Sequence, residues 1–176
     1  MLYWLLLAFA VLFPFYWLRI IKKYSWKKVN TELLPKIKSP KIELIGALKL
    51  FLLLFAGFLI LSTILSIIGL NDLEKVGSVL DQEKQNLLGF GVFVTLILFV
   101  EEFFFRAFLI KRIGMFWSTL IFAIMHISYG SIAEVIGVFV LGLILAYWYK
   151  KNNSLAQNYI AHVLYDLVAI IFYMFI

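Results

Sequence analysis

The sequence predicts an all-α fold, a polytopic membrane helix bundle of about six transmembrane helices around a polar cavity. Hydrophobic residues make up 64% of the 176-residue chain, whereas a soluble domain has about 45–50% apolar residues. The apolar residues gather into six runs that we interpret as membrane spans. The Lys- and Arg-rich connectors between these runs all fall on one side of the membrane, which supports the same topology independently.

The first two spans frame a basic connector. The run at residues 2–21 is followed, not preceded, by positive charges, which distinguishes it from a signal peptide. We therefore expect a retained span with its N-terminus outside. The connector 22–43 orients the chain and attracts anionic lipid headgroups. The second span is predicted at 44–70, and the acidic-leaning connector 71–86 is predicted to lie outside.

The last four spans are separated by short connectors. Lys111-Arg112 follows the third span, and Lys150-Lys151 follows the fifth. Ser154 ends a polar turn and is a candidate N-cap of the sixth helix. The predicted third to sixth spans are residues 87–110, 113–128, 132–149 and 155–176.

Three charged side chains lie inside the third span. Each charge at the centre of a membrane helix costs about 2.5–3.5 kcal/mol on insertion scales. Glu102 and Arg106 share a helix face at i, i+4 spacing and can pair. Glu101 is rotated by about 100° from Glu102 and lacks that partner. We therefore expect Glu102 to be structural and Glu101 to be free to act as a base.

Two other spans carry polar groups at a similar depth. Measured from the basic face, Glu101 lies roughly 15 Å deep and His126, on the fourth span, roughly 20 Å deep. His162 and Asp166, on the sixth span, lie roughly 12 and 18 Å deep. Asn158 extends their stripe by one turn. Because lipid would solvate these groups poorly, we expect them to face one another across an internal cavity.

These residues form three motifs in a fixed order. They read Glu101-Glu102-Phe103-Phe104-Phe105-Arg106, then Phe122-Ala123-Ile124-Met125-His126, then His162-Val163-Leu164-Tyr165-Asp166. They resemble the EExxxR, FxxxH and HxxxB motifs, with B an Asn or Asp, of the CPBP family of CAAX proteases and bacteriocin-processing enzymes, also called Abi. The resemblance covers about residues 87–176. We expect a single membrane domain, 1–176, with two N-terminal spans in 1–86 and a CPBP-like catalytic core in 87–176.

The resemblance implies a glutamate-dependent intramembrane endopeptidase. By the family pattern, Glu101 and His126 would activate a water molecule for attack on a peptide carbonyl. Glu102 and Arg106 would support the site. This division agrees with the rotational argument from helix geometry.

The last motif is implied to stabilise the oxyanion. His162 and Asp166 match the family positions for this role, but better-studied eukaryotic members carry Asn where this chain has Asp166. An ionised Asp cannot donate a hydrogen bond. Asp166 must therefore be protonated, or it must orient His162 as an imidazolium donor.

The sequence is compatible with more than one class of function. The leading hypothesis is an enzyme, a CAAX-protease-like glutamic intramembrane protease that acts on a peptide or protein presented at the membrane. The alternative is a non-proteolytic membrane interaction protein, such as a bacteriocin immunity factor or a sensor-kinase modulator with a membrane protein partner. A third reading, a proton-coupled transporter, is disfavoured because the sequence has only six spans and no repeat.

Cofactor, partner and location follow from composition. We expect no cofactor. Two histidines and two carboxylates suit Zn²⁺, but no HExxH helix is present and the resemblance implies no metal. The net charge of +6 does not indicate nucleic acid, because the basic residues lie in loops beside the lipid bilayer. The resemblance to small microbial members of the family implies a prokaryotic cell membrane. The charge pattern predicts an integral protein with cytoplasmic basic connectors and both termini outside.

Overall fold

The computed structural model describes residues 2–72, 74–77 and 87–175. Within these ranges the regular secondary structure is helical, without strands, so the predicted all-α class is confirmed. Two π-helical segments, Trp17–Ile21 and Glu102–Leu109, and a 3₁₀ turn, His126–Tyr129, accompany the α-helices. The main α-helices are α1 (Leu2–Tyr16), α2 (Trp26–Leu33), α3 (Pro40–Ile67), α4 (Leu87–Glu101), α5 (Ile110–Met125), α6 (Ile132–Asn152) and α7 (Leu155–Phe175).

Four helical stretches of the described chain are long and apolar enough to cross a membrane, judged by length and composition. Much of their apolar surface is exposed, as at Leu52 and Ile60 of α3, which suits contact with lipid tails. The first, second, fifth and sixth predicted spans are thus confirmed, and the chain is a polytopic membrane helix bundle. The four stretches are Trp4–Ile21, Pro40–Ile67, Ile132–Asn152 and Leu155–Phe172.

The third and fourth predicted spans are irregular helices. The third consists of α4 followed without a break by the π-helix Glu102–Leu109. The fourth lies in α5, where Gly114 adopts a φ of 83° and kinks the chain; a side chain there would be strained. Helix α4 has 15 residues and α5 has 16, whereas a regular spanning helix needs about 17 or more. The count of six spans therefore stays a prediction.

The basic connector contains a helix that the sequence did not predict. Ser25 caps α2, because its hydroxyl accepts a hydrogen bond from the Lys28 backbone N–H at 3.4 Å. Val29 and Leu33 project from α2 and are fully buried in the cluster around the π-helix. Burial of these two side chains explains why a short polar segment is helical here, since an isolated helix of this length is marginal in water.

The boundaries predicted for the second span were wrong at both ends. Helix α3 starts at Pro40, four residues before the predicted start, because proline suits the first turn of a helix. After Ile67, Gly69 adopts a φ of 76° and the Leu70 N–H donates to the Leu65 carbonyl at 2.8 Å. This left-handed glycine and 6→1 hydrogen bond form a Schellman end, which stops the helix before residue 70.

Asp72 joins the connector after α3 to the start of α6. Its carboxylate accepts hydrogen bonds from the Ser131 hydroxyl at 2.7 Å and from the N–H groups of Ile132 and Ala133 at 2.9 and 3.0 Å. The bond from Ser131, together with the two backbone bonds, holds the pKa of Asp72 below its usual value. The rest of the predicted acidic connector, residues 73 and 78–86, lies outside the described residues.

The π-helix lies at the centre of the packing. It contacts α1, α2, α5 and α7, and its Phe103 and Phe108 are buried in one hydrophobic cluster. A second cluster joins α3, α6 and α7. Helices α5 and α6 approach closely at Gly142, where an added Cβ would lie 2.9 Å from Thr119 Cγ2. Small residues permit such close packing between membrane helices. This packing brings α5 and α7 against the segment that carries the predicted carboxylates.

Candidate active site

The EExxxR motif straddles the change from α-helix to π-helix. Glu101 is the last residue of α4, and Glu102 opens the π-helix that also contains Arg106. The side chains of Glu102 and Arg106 are completely buried, whereas Glu101 is partly exposed. π-helical turns are rare and often occur at functional sites. The regular spacing of 3.6 residues per turn expected from the sequence does not predict this segment.

Glu102 connects the predicted site residues. Its Oε2 lies 3.5 Å from Arg106 Nε and accepts a hydrogen bond from Asn158 Nδ2 at 3.1 Å. Its Oε1 lies 2.9 Å from His162 Nδ1. The pairing of Glu102 with Arg106 that the spacing predicted is present. Helix α7 thus contacts the EExxxR segment through both Asn158 and His162.

The Arg106 guanidinium is buried without a hydrogen bond to any described residue. All three of its nitrogens lack an acceptor, although Nε lies 3.5 Å from Glu102. The guanidinium carbon lies 4.5 Å from the centre of the Phe122 ring, a cation–π arrangement. Buried donors without acceptors are uncommon in folded proteins and call for an explanation. Here they leave hydrogen-bonding capacity beside the predicted site.

His162 lies between two carboxylates. Its Nδ1 is 2.9 Å from Glu102 Oε1, and its Nε2 is 3.8 Å from Asp166 Oδ1. The ring is buried, with 8% of its surface exposed. Nearby negative charge favours the protonated form of imidazole. This arrangement fits the second expectation for Asp166, that it orients His162 as an imidazolium.

His126 approaches the same region from α5. Its Nδ1 lies 2.9 Å from the Phe122 carbonyl oxygen. Because a carbonyl can only accept, this nitrogen carries the proton, and Nε2 of a neutral ring keeps its lone pair. The Phe122 ring centre lies 4.8 Å from that of His126 and 6.4 Å from that of His162. One phenylalanine ring therefore contacts both predicted histidines.

Glu101 differs from its neighbour as the rotational argument expected. It makes no side-chain hydrogen bond to a described residue, whereas Glu102 has several partners. It lies within electrostatic range of His162, Asp166 and Glu102. The structure thus brings the predicted residues of α4, the π-helix and α7 together, with His126 next to them across Phe122.

Asn158 is a candidate site residue that was not among the residues predicted from the sequence. It is completely buried, and its Nδ2 donates to Glu102 Oε2 at 3.1 Å and to the Leu145 carbonyl at 2.9 Å. Its side chain therefore fixes Glu102 to the backbone of α6. The available signal was its position one turn before His162 on the same stripe, which the sequence analysis noted without assigning a role.

The described residues contain no group of three or more His, Asp or Glu side chains arranged to hold a metal ion. The expected absence of a cofactor stays a prediction. Two cavities lie elsewhere in the described structure: one is lined by Met115 and Tyr147 among others, and the second by residues near Lys111. Neither is lined by Glu101, the predicted histidines or Asp166, so the polar cavity around the site stays a prediction.

Residues 83–168 match the family model described as type II CAAX prenyl endopeptidase, Rce1-like. The predicted resemblance to the CAAX protease family is therefore confirmed for this segment, which includes all the predicted site residues and Asn158. No curated protein and no solved structure matched the chain.

Proposed function

We propose that this chain, whose residues 83–168 match the Rce1-like family, is an intramembrane endopeptidase acting on a membrane-presented peptide or protein. The observation that carries the proposal is the placement of His162, 2.9 Å from Glu102 Oε1 and 3.8 Å from Asp166 Oδ1. Two carboxylates favour the imidazolium form, and a fixed cation stabilises negative charge that develops on a reacting carbonyl oxygen.

Glu101 is the proposed general base. Its carboxylate has no hydrogen-bond partner among the described residues and is partly exposed, so it is free to accept a proton from water. The water oxygen then forms a bond to the peptide carbonyl carbon, and the carbonyl oxygen becomes an oxyanion. The proton passes to the amide nitrogen as the C–N bond breaks, which yields a carboxylic acid and an amine.

His126 is proposed to orient the attacking water. Its Nδ1–H donates to the Phe122 carbonyl at 2.9 Å, so its Nε2 is the available acceptor. His126 and Glu101, both within the described residues, form no hydrogen bond with each other in the structure. The pairing of His126 with Glu101 is therefore taken from the family resemblance. A correctly positioned water avoids much of the entropic barrier to attack.

The oxyanion is proposed to form next to His162. The Nδ1–H of His162 donates to Glu102, which leaves Nε2–H for the oxyanion, and Asp166 keeps the ring charged. Arg106 and Asn158 hold Glu102 in place. Removing one preorganised oxyanion donor typically costs about 2.7–4 kcal/mol of transition-state stabilisation.

The proposed setting is the cell membrane of a prokaryote, with basic connectors in the cytoplasm and both termini outside. The positive-inside rule supports that orientation. The substrate class is a peptide or protein tail that reaches the site from the membrane. A prenylated CAAX-type peptide is one member of that class, named by the matching family.

The test compares wild-type protein with Glu101→Gln and His126→Ala in proteoliposomes, using one peptide with and without a farnesyl group. Mass spectrometry of the products, and of protein termini in cell membranes, detects cleavage. We expect each variant to lose about 100-fold or more of the activity, the usual range for a general base. Ser118→Ala is the matched control, because it removes a buried 2.8 Å hydrogen bond to the Phe105 carbonyl but no ionisable group.

Retention of full cellular function by both folded variants would refute the protease proposal. It would favour the non-proteolytic membrane interaction protein. The protease proposal would also be refuted if neither the peptides nor the membrane proteome yielded a product that depends on Glu101.

A further inference from the structure

A cavity of about 630 Å³ lies on the basic side of the bundle, where the end of the first span, α2 and the start of α5 meet. Its size falls within the roughly 300–1,000 Å³ of small-ligand sites. None of the proposed catalytic residues lines it. The lining residues that concern us are Trp17, Lys22, Glu32, Lys111, Arg112 and Ile113.

The charge of the cavity is positive. The lining contains three cationic side chains and one carboxylate: Lys22, Lys111 and Arg112, and Glu32. Glu32 Oε2 lies 4.0 Å from Lys111 Nζ and 3.5 Å from Arg112 Nη2, and the Glu32 carbonyl accepts from Lys111 Nζ at 2.6 Å. Glu32 therefore holds two cationic groups in place without neutralising the three, and Lys22 forms no ion pair with a described residue.

The Trp17 indole adds an unused donor. Its Nε1 is buried and has no acceptor among the described residues. The ring is held by Phe13, with ring centres 5.8 Å apart. A buried N–H without a partner indicates a missing acceptor, such as an ion or a ligand atom. Trp17 lines the cavity, so an anion bound there is a candidate for that acceptor.

We propose that the cavity binds the phosphate group of an anionic lipid, with Trp17, Lys22 and Arg112 as donors. Arginine and lysine are the common ligands of phosphate, and charge-assisted hydrogen bonds to it are strong. Ile113 lines the cavity and is exposed, and the exposed Ile20 and Ile21 directly precede Lys22 in the chain. These side chains offer apolar surface to acyl chains, which a soluble phosphate would not use. Basic pockets between membrane helices bind lipid head groups in this way. The inference is independent of the proposed proteolysis.

Native mass spectrometry of the delipidated full chain tests the proposal with phosphatidylglycerol, phosphatidylcholine and inorganic phosphate. We expect the wild type to prefer phosphatidylglycerol to phosphatidylcholine. Trp17→Phe keeps the aromatic ring but lacks the N–H, and should weaken phosphatidylglycerol binding about tenfold. Lys22→Gln should weaken it about fivefold.

Lys27→Gln is the matched control, since Lys27, on α2, is exposed like Lys22 but does not line the cavity. We expect its affinity for phosphatidylglycerol to equal that of the wild type. Equal loss in the Lys22 and Lys27 variants, or no effect of Trp17→Phe in a folded protein, would overturn the proposal. Displacement of the lipid by inorganic phosphate would overturn the lipid assignment, because it would identify a soluble phosphate as the ligand.

Discussion

Two buried glutamates, Glu43 against the start of α7 and Glu102 beside Asn158 and His162 of that helix, show what distinguishes a structural polar cluster from the candidate site. Glu43, 4% exposed, accepts hydrogen bonds from the Ser154 hydroxyl at 2.5 Å and from the Lys38 N–H at 2.7 Å. Nearby, Trp148 Nε1 donates to Gln157 Oε1 at 2.9 Å. These donors and acceptors are matched, and the cluster ties the start of α3 to the start of α7.

The cluster around Glu102 is incompletely matched. All three nitrogens of Arg106 and the Oδ1 of Asn158 are buried without a hydrogen-bond partner among the described residues. Glu101 next to them has no side-chain hydrogen bond to a described residue either. A satisfied polar network rigidifies a fold, whereas unsatisfied buried groups often mark a site that receives a ligand. Both clusters therefore bury charge, and they differ in whether their buried polar groups have hydrogen-bond partners.

The largest expected effect comes from Glu102→Ala. It would leave Arg106 as an uncompensated buried charge, which typically costs about 3–5 kcal/mol in free energy of unfolding. Denaturant titration of the purified protein measures this loss. The double variant Glu102→Ala/Arg106→Met should recover most of it. Failure of the double variant to recover stability would show that the ion pair is not what the single variant breaks.

The second effect tests the positioning role of Asn158. Asn158→Ala removes donors to Glu102 and Leu145 and should cost about 2 kcal/mol of stability. It should also lower peptide hydrolysis about tenfold, with a changed pH profile because Glu102 loses a neighbour. Asn158→Gln should restore neither the hydrogen bonds to Glu102 and Leu145 nor the rate of peptide hydrolysis fully. An unchanged pH profile would assign Asn158 a purely structural role.

The third effect concerns the cluster around Glu43, in which the hydrogen bonds are matched. Glu43→Gln keeps the size of the side chain and one acceptor oxygen, and should cost about 1 kcal/mol of stability. Hydrolysis should stay at the wild-type rate, since Glu43 contacts none of the proposed catalytic residues. A loss of hydrolysis as large as that of Asn158→Ala would remove the distinction between the two clusters.

The smallest effect concerns Asp72 at the surface. Its pKa is held below the usual value by Ser131 and the first N–H groups of α6. The stabilisation is fully present above the unfolded value of about 3.9 and is lost as pH falls through the lower folded value. Asp72→Asn should therefore lower the unfolding midpoint at pH 6 and make the stability of the protein fall less steeply in acid than that of the wild type. Identical profiles for both proteins would refute this.

Several parts of the fold and of the site could be predicted because they depend on local sequence. The apolar runs identify the first, second, fifth and sixth spans. The i, i+4 spacing predicts the Glu102–Arg106 pair, and the polar turn predicts Ser154 as N-cap, whose hydroxyl accepts from the Gln157 N–H at 3.2 Å. Each follows from helix geometry, which is the same wherever the helix packs.

Other parts could not be predicted because they depend on contacts between distant residues. The π-helix at Glu102–Leu109 changes the angular positions of the side chains after Glu101. No residue type in this segment predicts a π-helix. Helix α2 exists because Val29 and Leu33 are buried by the π-helix cluster. Asn158 gains its role only because α7 lies against Glu102, 56 residues away.

By itself, the sequence determined that this chain forms apolar helices, which of them carry carboxylate and imidazole groups, and which family its motifs resemble. Only the tertiary structure decided the partners: His162 for Glu102, Phe122 for both histidines, and Asn158 as the link to α6. The physical reason is that hydropathy and helix periodicity act within one segment. Hydrogen bonds between buried polar groups instead require two segments to meet at about 3 Å, and that depends on how the whole bundle packs.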